Sequence, residues 1–186
     1  DAVRWDREWP FEEGVAMQLS LDKFATTSNT SIMNWCAARN EYTSENFGSP
    51  DGENHLCTNN VPPPPFMNDT AEDTGTMDTG SEPSSEPSSE PSEEPTDAVV
   101  PNVGDIIFTE IMLDTKGIVD SVGEWIELTN LTGERLDLTG FAIQDDGRNF
   151  FQLPDGTMVE PNDRLIVGRS NDTSANGGVE VDVVSE

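Results

Sequence analysis

Basic residues are scarce in this chain: nine lysines and arginines stand against 37 acids, for a formal net charge of −28. A surface so acidic repels a phosphate backbone instead of releasing its counterions, so nucleic acid is not expected as a partner. The acidity is instead suited to keeping an extracellular protein soluble and dispersed. Histidine is nearly absent as well. The one present, His55, has no Ser or Asp partner at a recognisable spacing and reads as a solvent-exposed loop residue. Gly-rich phosphate loops, zinc spacings and nucleophile elbows are all missing, so no catalytic residue is assigned and an enzyme is not expected. No apolar run approaches the length that crosses a bilayer, which excludes insertion by a single helical span. Only two cysteines occur, Cys36 and Cys57, 21 positions apart. Taken alone the pair is weak evidence of a bridge, because two cysteines also occur as free thiols in cytosolic proteins. The chain opens at Asp1 and not at Met, which points to an upstream segment already removed.

What the chain does have in quantity is low-complexity sequence at its centre. Residues 81–96 run as four tetrapeptides, SEPS-SEPS-SEPS-EEPT, preceded by Pro62 to Pro65 and the polar stretch NDTAEDTGTMDTG. From Thr58 to Gly104 there are ten acids and no basic residue. Such a stretch buries too little apolar surface to offset its ordering entropy, so residues 58–104 are expected to be a disordered acidic linker. Repeated proline and mutually repelling glutamate favour a semi-rigid spacer over a collapsed coil.

Both flanks of this spacer read as short strands parted by turn residues. In the second flank, Ile106, Ile107, Phe108, Ile111 and Met112 mark one strand, Trp125 to Leu128 another, and Leu136 to Ile143 a third. Phe150 to Leu153 and Leu165 to Val167 follow, separated by Pro154-Asp155-Gly156 and Pro161-Asn162-Asp163. In the first flank the strand candidates are Ala2 to Trp5 and Ala16 to Leu21. Turn signals at this spacing between alternating segments indicate an all-β sandwich, and no segment sustains a helical period.

The order of the second-flank motifs carries a resemblance. GDIIFTEIM, then EWIELTNLTGERLDLTGFAIQDDG, then FFQLPDGTMVEPNDRLIVGRS resembles the front of a lamin-tail domain, an immunoglobulin-like β-sandwich whose first strand ends in an NEIM-like sequence. Thr109 stands where many members have Asn. The first flank, DAVRWDREWPFEEGVAMQLSLD through NWCAARNEY and FGSPDGENHLC, resembles the way secreted bacterial members of that family finish. The resemblance therefore implies an immunoglobulin-like fold from two half-domains in reversed order. Residues 1–57 would be the C-terminal part of one copy, 58–104 the linker, and 105–186 the N-terminal part of another. It also implies a Cys36–Cys57 disulfide, because secreted members carry a WC pair near the last strands and a Cys past a turn like Phe47-Gly48-Ser49-Pro50. A bridge of that span contributes about 3 kcal/mol and implies an oxidising, extracytoplasmic setting.

Several arrangements follow. The chain is an excerpt of a longer tandem array, or the halves complete each other, within one chain or between chains. A flexible linker of this length reaches ~35–40 Å, enough to cross a sandwich. Pairing between copies would be head-to-tail, and such a contact makes a fibre when it does not close. The expected function is a non-enzymatic, secreted or cell-surface structural or binding module whose partners are other copies or neighbouring repeats. The alternative is an accessory domain of a secreted hydrolase or nuclease whose catalytic part lies elsewhere. A third reading, a sugar-binding platform, rests on Trp5, Trp9, Trp35 and Trp125, of which Trp35 and Trp125 are expected in the core and Trp9 outside.

Other residue groups have two readings each. Calcium is the cation suited to loop carboxylates. The candidates are Asp145 and Asp146 in QDDGRN, Asp114 and Asp120 around Lys116-Gly117, and Asp51, Glu53 and Asn54 in SPDGEN. Tight turns require the same residues, and none of the three follows a dedicated calcium-loop spacing. Glu110, Glu124 and Glu127 fall in or beside strands, where one turned inward would pair with Arg135 or Arg148. Asn29, Asn68, Asn130 and Asn171 begin glycosylation sequons.

Overall fold

A computed structural model of the chain describes residues 3, 12–25, 27–57, 98–145 and 149–185. The strands run in chain order as β1 (Met17–Leu19), β2 (Trp35–Ala37), β3 (Glu41–Thr43), β4 (Asn46–Phe47), β5 (Ile106–Met112), β6 (Trp125–Asn130), β7 (Leu136–Asp137), β8 (Ala142–Gln144), β9 (Phe150–Gln152), β10 (Met158–Val159), β11 (Arg164–Gly168) and β12 (Val183–Val184). One helical turn, α1 (Asp120–Gly123), and two 3-10 turns, Leu21–Lys23 and Ile32–Asn34, are the helical content among the described residues. The all-β expectation holds.

Six strands form the main sheet in the order β12-β11-β6-β5-β1-β2. Its centre is the antiparallel pair β5–β6, the two longest strands, rich in the β-branched and aromatic residues that suit a pleated surface. The first flank joins this sheet directly. Met17 pairs with Ile111 and Gln18 with Glu110, placing β1 antiparallel beside β5, with β2 outside it. Strands from both ends of the sequence thus belong to one sheet.

The second layer is made of short pairs, β7–β10 and β8–β9. Leu128, Leu165, Val167 and Val183 of the main sheet meet Leu138, Leu153 and Val159 of this layer in one apolar core. Two further clusters join the flanks. Met17, Leu19 and Trp35 pack with Ile107 and Ile111, and Ala16 and Ala38 pack with Met112, Trp125, Ile166 and Val179. Trp35 and Trp125 are both buried, as expected for core tryptophans. Trp5 and Trp9 lie outside the described residues, as does most of the strand expected at Ala2 to Trp5.

The segment Leu136 to Ile143 departs from expectation. It is two strands and not one, because Leu138–Phe141 turns the chain between β7 and β8. Gly140 has φ +76°, the Phe141 N–H bonds the Leu138 carbonyl at 3.0 Å, and the Asp137 carboxylate takes the Thr139 N–H at 2.8 Å. Glycine supplies the left-handed backbone at little cost, which lets the chain turn here. Residues 58–97, most of the expected linker, lie outside the described residues. Pairing begins again at Val99, which bridges Leu136 in parallel through bonds of 3.0 Å and 2.9 Å.

Candidate functional site: a strap over a buried carboxylate row

The register of the main sheet lines up one row of residues across five strands: Cys36 on β2, Gln18 on β1, Glu110 on β5, Glu127 on β6 and Ile166 on β11. Directly opposed residues project on the same face of a sheet. A bulge between Phe108 and Glu110 adds to this row, leaving Thr109 as the extra residue. Such a bulge re-aims a side chain. The Thr109 hydroxyl accordingly reaches the Glu127 carboxylate at 2.5 Å and the Thr129 hydroxyl at 2.8 Å.

Residues 49–57 of the first flank lie along this row as a strap, with a contact at Glu110, Glu127, Gln18 and Cys36. At Glu110, the Ser49 N–H and hydroxyl donate to the carboxylate at 3.0 Å and 2.9 Å. At Glu127, the Asp51 N–H donates at 3.1 Å. At Gln18, the side-chain amide donates to the His55 carbonyl at 3.4 Å. At Cys36 the strap is covalently closed by the Cys36–Cys57 disulfide, with Cα atoms 5.6 Å apart. Asn54 fills the middle: its amide donates to the carbonyls of Leu19 and Thr109, and its Oδ1 lies 3.2 Å from the Ser49 hydroxyl oxygen. The local sequence favours this path. Asp51 adopts φ +61°, which Asp tolerates better than most residues, and Pro50 and Gly52 set the turn around it.

Glu110 and Glu127 are both 0% exposed. Loss of water pushes the Glu110 carboxyl from 4.5 up to about 8, and the neighbouring Glu127 adds to the rise. Glu127 is raised to about 7, again chiefly by loss of water. The Arg164 guanidinium lies 3.6 Å from Glu127, too long for a good hydrogen bond, and its attraction does not offset the desolvation. Sealed from solvent and committed to the strap, the pair offers no open face to a substrate.

The inward-facing glutamate anticipated from the sequence is thus two glutamates, and the partner is different. Glu127 faces Arg164, while Arg135 pairs with Glu160 at 2.9 Å and Arg148 lies outside the described residues. Arg164 carries no local signal of this pairing, because it sits next to Asp163 in a turn-like stretch; only the β6–β11 register brings it to Glu127. His55 is half-buried and not the free loop residue expected. Its carbonyl serves the strap, and burial lowers the pKa of its ring.

The calcium candidates fall in separate places. Asp145 caps its own turn by accepting the Asn149 N–H and amide, and Asp146 lies outside the described residues. Asp114 and Asp120 both act electrostatically on Glu124, whose carboxyl is raised first by partial burial and then by Asp120. Asp51, with its neighbours Glu53 and Asn54, belongs to the strap. Among the described residues, no three His, Cys, Asp or Glu side chains form a group that could hold a metal ion. Of the sequon asparagines, Asn29 and Asn130 are buried, Asn171 is exposed, and Asn68 lies outside the described residues. Asn130 instead organises the turn after β6, donating to the carbonyls of Glu134, Val159 and Glu160 and accepting from Thr132.

Residues 100–185 match the family model described as Lamin Tail Domain. This segment is similar to a lamin tail domain. The match covers β5 to β12, while β1, β2 and the strap come from residues outside it. Lamin tail domains are immunoglobulin-like modules, in accord with the sandwich. No curated protein and no solved structure matches the chain significantly. No helix among the described residues is long and apolar enough to cross a membrane.

Proposed function

We propose that this chain is a non-enzymatic structural module of an extracellular or cell-surface protein, in which the first flank completes the lamin tail domain of the second. The observation that carries this is the seating of β1 against β5, Met17 opposite Ile111, from the far side of the linker. Residues 1–57 act as the back of the sandwich and residues 105–186 as its front, with the acidic stretch between them as a spacer. The disulfide in the strap is of the kind that persists outside the reducing cytosol. An unpaired β5 edge would be a template for any strand that fits it. The spacer allows that strand to come from the same chain or from a neighbouring copy, and head-to-tail exchange of first flanks builds a tandem array or fibre.

The deciding experiment is light scattering on the chain over a concentration series, alongside a variant in which most of residues 61–96 are deleted. Growth of mass with concentration, enhanced by the deletion because the flank then fails to reach its own β5, is the expected result. A monomer of constant mass in both would leave a self-completed domain and end the assembly.

A further inference from the structure

The seam between the flanks holds two acids and few groups to neutralise them. Glu110 and Glu127 oppose each other across β5 and β6. The groups facing them can be taken element by element. β5 gives the Thr109 hydroxyl and β1 the Gln18 amide, both uncharged. β11 gives Arg164, the one cation near the pair among the described residues. β3 gives Tyr42, whose hydroxyl is raised by burial and feels Glu110. The strap gives the N–H groups of Ser49 and Asp51 and the Ser49 hydroxyl, but also the Asp51 carboxylate, which acts against the charge on Glu127. Two buried carboxyls thus share one guanidinium at a long distance, with a third acid nearby. Buried charge left without a partner is strongly unfavourable, and a single proton on the pair removes the imbalance.

We propose that Glu110 and Glu127 form a proton-dependent latch: with a proton on the pair the strap at 49–57 closes and the first flank stays docked, and when both carboxylates ionise the strap loosens and the flank is released. The latch deepens the assembly proposed above by giving it a control, and it rests on that proposal only for the consequence that a released flank docks on a second copy.

The sign follows from the shifts. Both carboxyls have folded values raised above the ordinary 4.5, to about 8 and about 7. The docked form therefore keeps protons that the undocked form has lost. Stability is fully present below about pH 4.5, falls as pH rises through 7 to 8, and is level above that. Glu124 and Asp182, both raised by burial, add a slope of the same sign, and His55, lowered, adds one of the opposite sign. Substitutions at 110 and 127 separate the latch from these.

The test uses the full chain with its disulfide intact. Wild-type protein carrying carbon-13 at the glutamate carboxyls is titrated by NMR, and urea midpoints are measured from pH 5 to 9 for wild type, Glu110→Gln, Glu127→Gln and Ser49→Ala. Two carboxyls should titrate above pH 6. The wild-type midpoint should fall across that range, each Gln variant should lose a large part of the fall, and Ser49→Ala should move the fall to higher pH by removing a donor that favours the charged form. The wild-type titration and Ser49→Ala keep the test valid where a Gln variant does not fold. All glutamates titrating below pH 6, or Gln variants with the wild-type slope, would overturn the latch. Exchange between two differently tagged copies, followed by mass at pH 5.5 and 8.5, should be at least tenfold faster at 8.5. Equal exchange at both pH values would overturn the latch and leave assembly standing. No exchange at either pH, with the two high titrations and the slopes intact, would support the latch and overturn assembly.

Discussion

Asn54 reaches across the seam between the two flanks to the backbone carbonyl of Thr109, 2.8 Å away, while the same amide holds the Leu19 carbonyl at 2.9 Å. A residue 55 positions distant in sequence from Thr109 thus serves the bulge that gathers the buried hydroxyls and carboxylates. Replacing Asn54 by Ala takes a donor from two buried carbonyls. The expected loss is about 1–3 kcal/mol by urea denaturation at pH 6, against almost none for Glu53→Ala, whose side chain is exposed.

The disulfide fixes the far end of the strap to the outermost strand of the sheet, β2. Cys36→Ser with Cys57→Ser opens a loop of 21 positions and should lower stability by about 3 kcal/mol. Reductant should reproduce most of that loss in wild type and have no effect on the double variant. Equal midpoints for the two proteins would mean that the noncovalent contacts of the strap suffice.

Arg164 is the only cation among the described residues that acts on the buried pair. Arg164→Met should therefore raise the Glu127 titration further and make stability more dependent on pH. The expected loss is about 1–3 kcal/mol at pH 8.5 and clearly less at pH 5.5, where the pair carries a proton in either protein. Urea midpoints at the two pH values check this, and a loss of the same size at both would show that Arg164 acts through packing alone.

Gly14 sits where the first flank meets the segment after β5, its N–H on the Asp114 carbonyl at 2.7 Å. Its φ is +80°, and a Cβ there would run into the backbone carbonyl of Glu45. Gly14→Ala should cost about 1–3 kcal/mol, seen as a lower thermal midpoint. Gly133→Ala is the control, since nothing lies within 4 Å of a Cβ built there and its φ is not positive.

The features that could be read before folding are those whose signals are local. The apolar run at Ile106 to Met112 becomes β5, Trp125 to Leu128 lies within β6, and Leu165 to Val167 lies within β11. Where two local signals compete, the turn wins: Thr139-Gly140 breaks the apolar alternation from Leu136 to Ile143 into two strands, because a positive-φ glycine outweighs a short alternation. The strap had only a faint sequence trace, in the turn residues of SPDGEN and in Cys57. Those residues identify a loop and say nothing of the row beneath it.

By itself the sequence determined the all-β class, the turns at Pro154-Asp155-Gly156 and Pro161-Asn162-Asp163, the acidic spacer composition and the resemblance of the second flank to a lamin tail domain. All of these rest on alternation, on turn chemistry or on the order of motifs along the chain. Only the tertiary structure decided that β1 docks on β5, that Glu110 and Glu127 both face inward, that Arg164 and not Arg135 is their cation, and that Asn130 is a buried turn organiser and not an exposed sequon. The physical reason is register. Which face a strand residue occupies, and what lies opposite it, is set by pairing between distant segments and by a bulge at Thr109, and a slip of one residue would turn every one of these side chains to the other face.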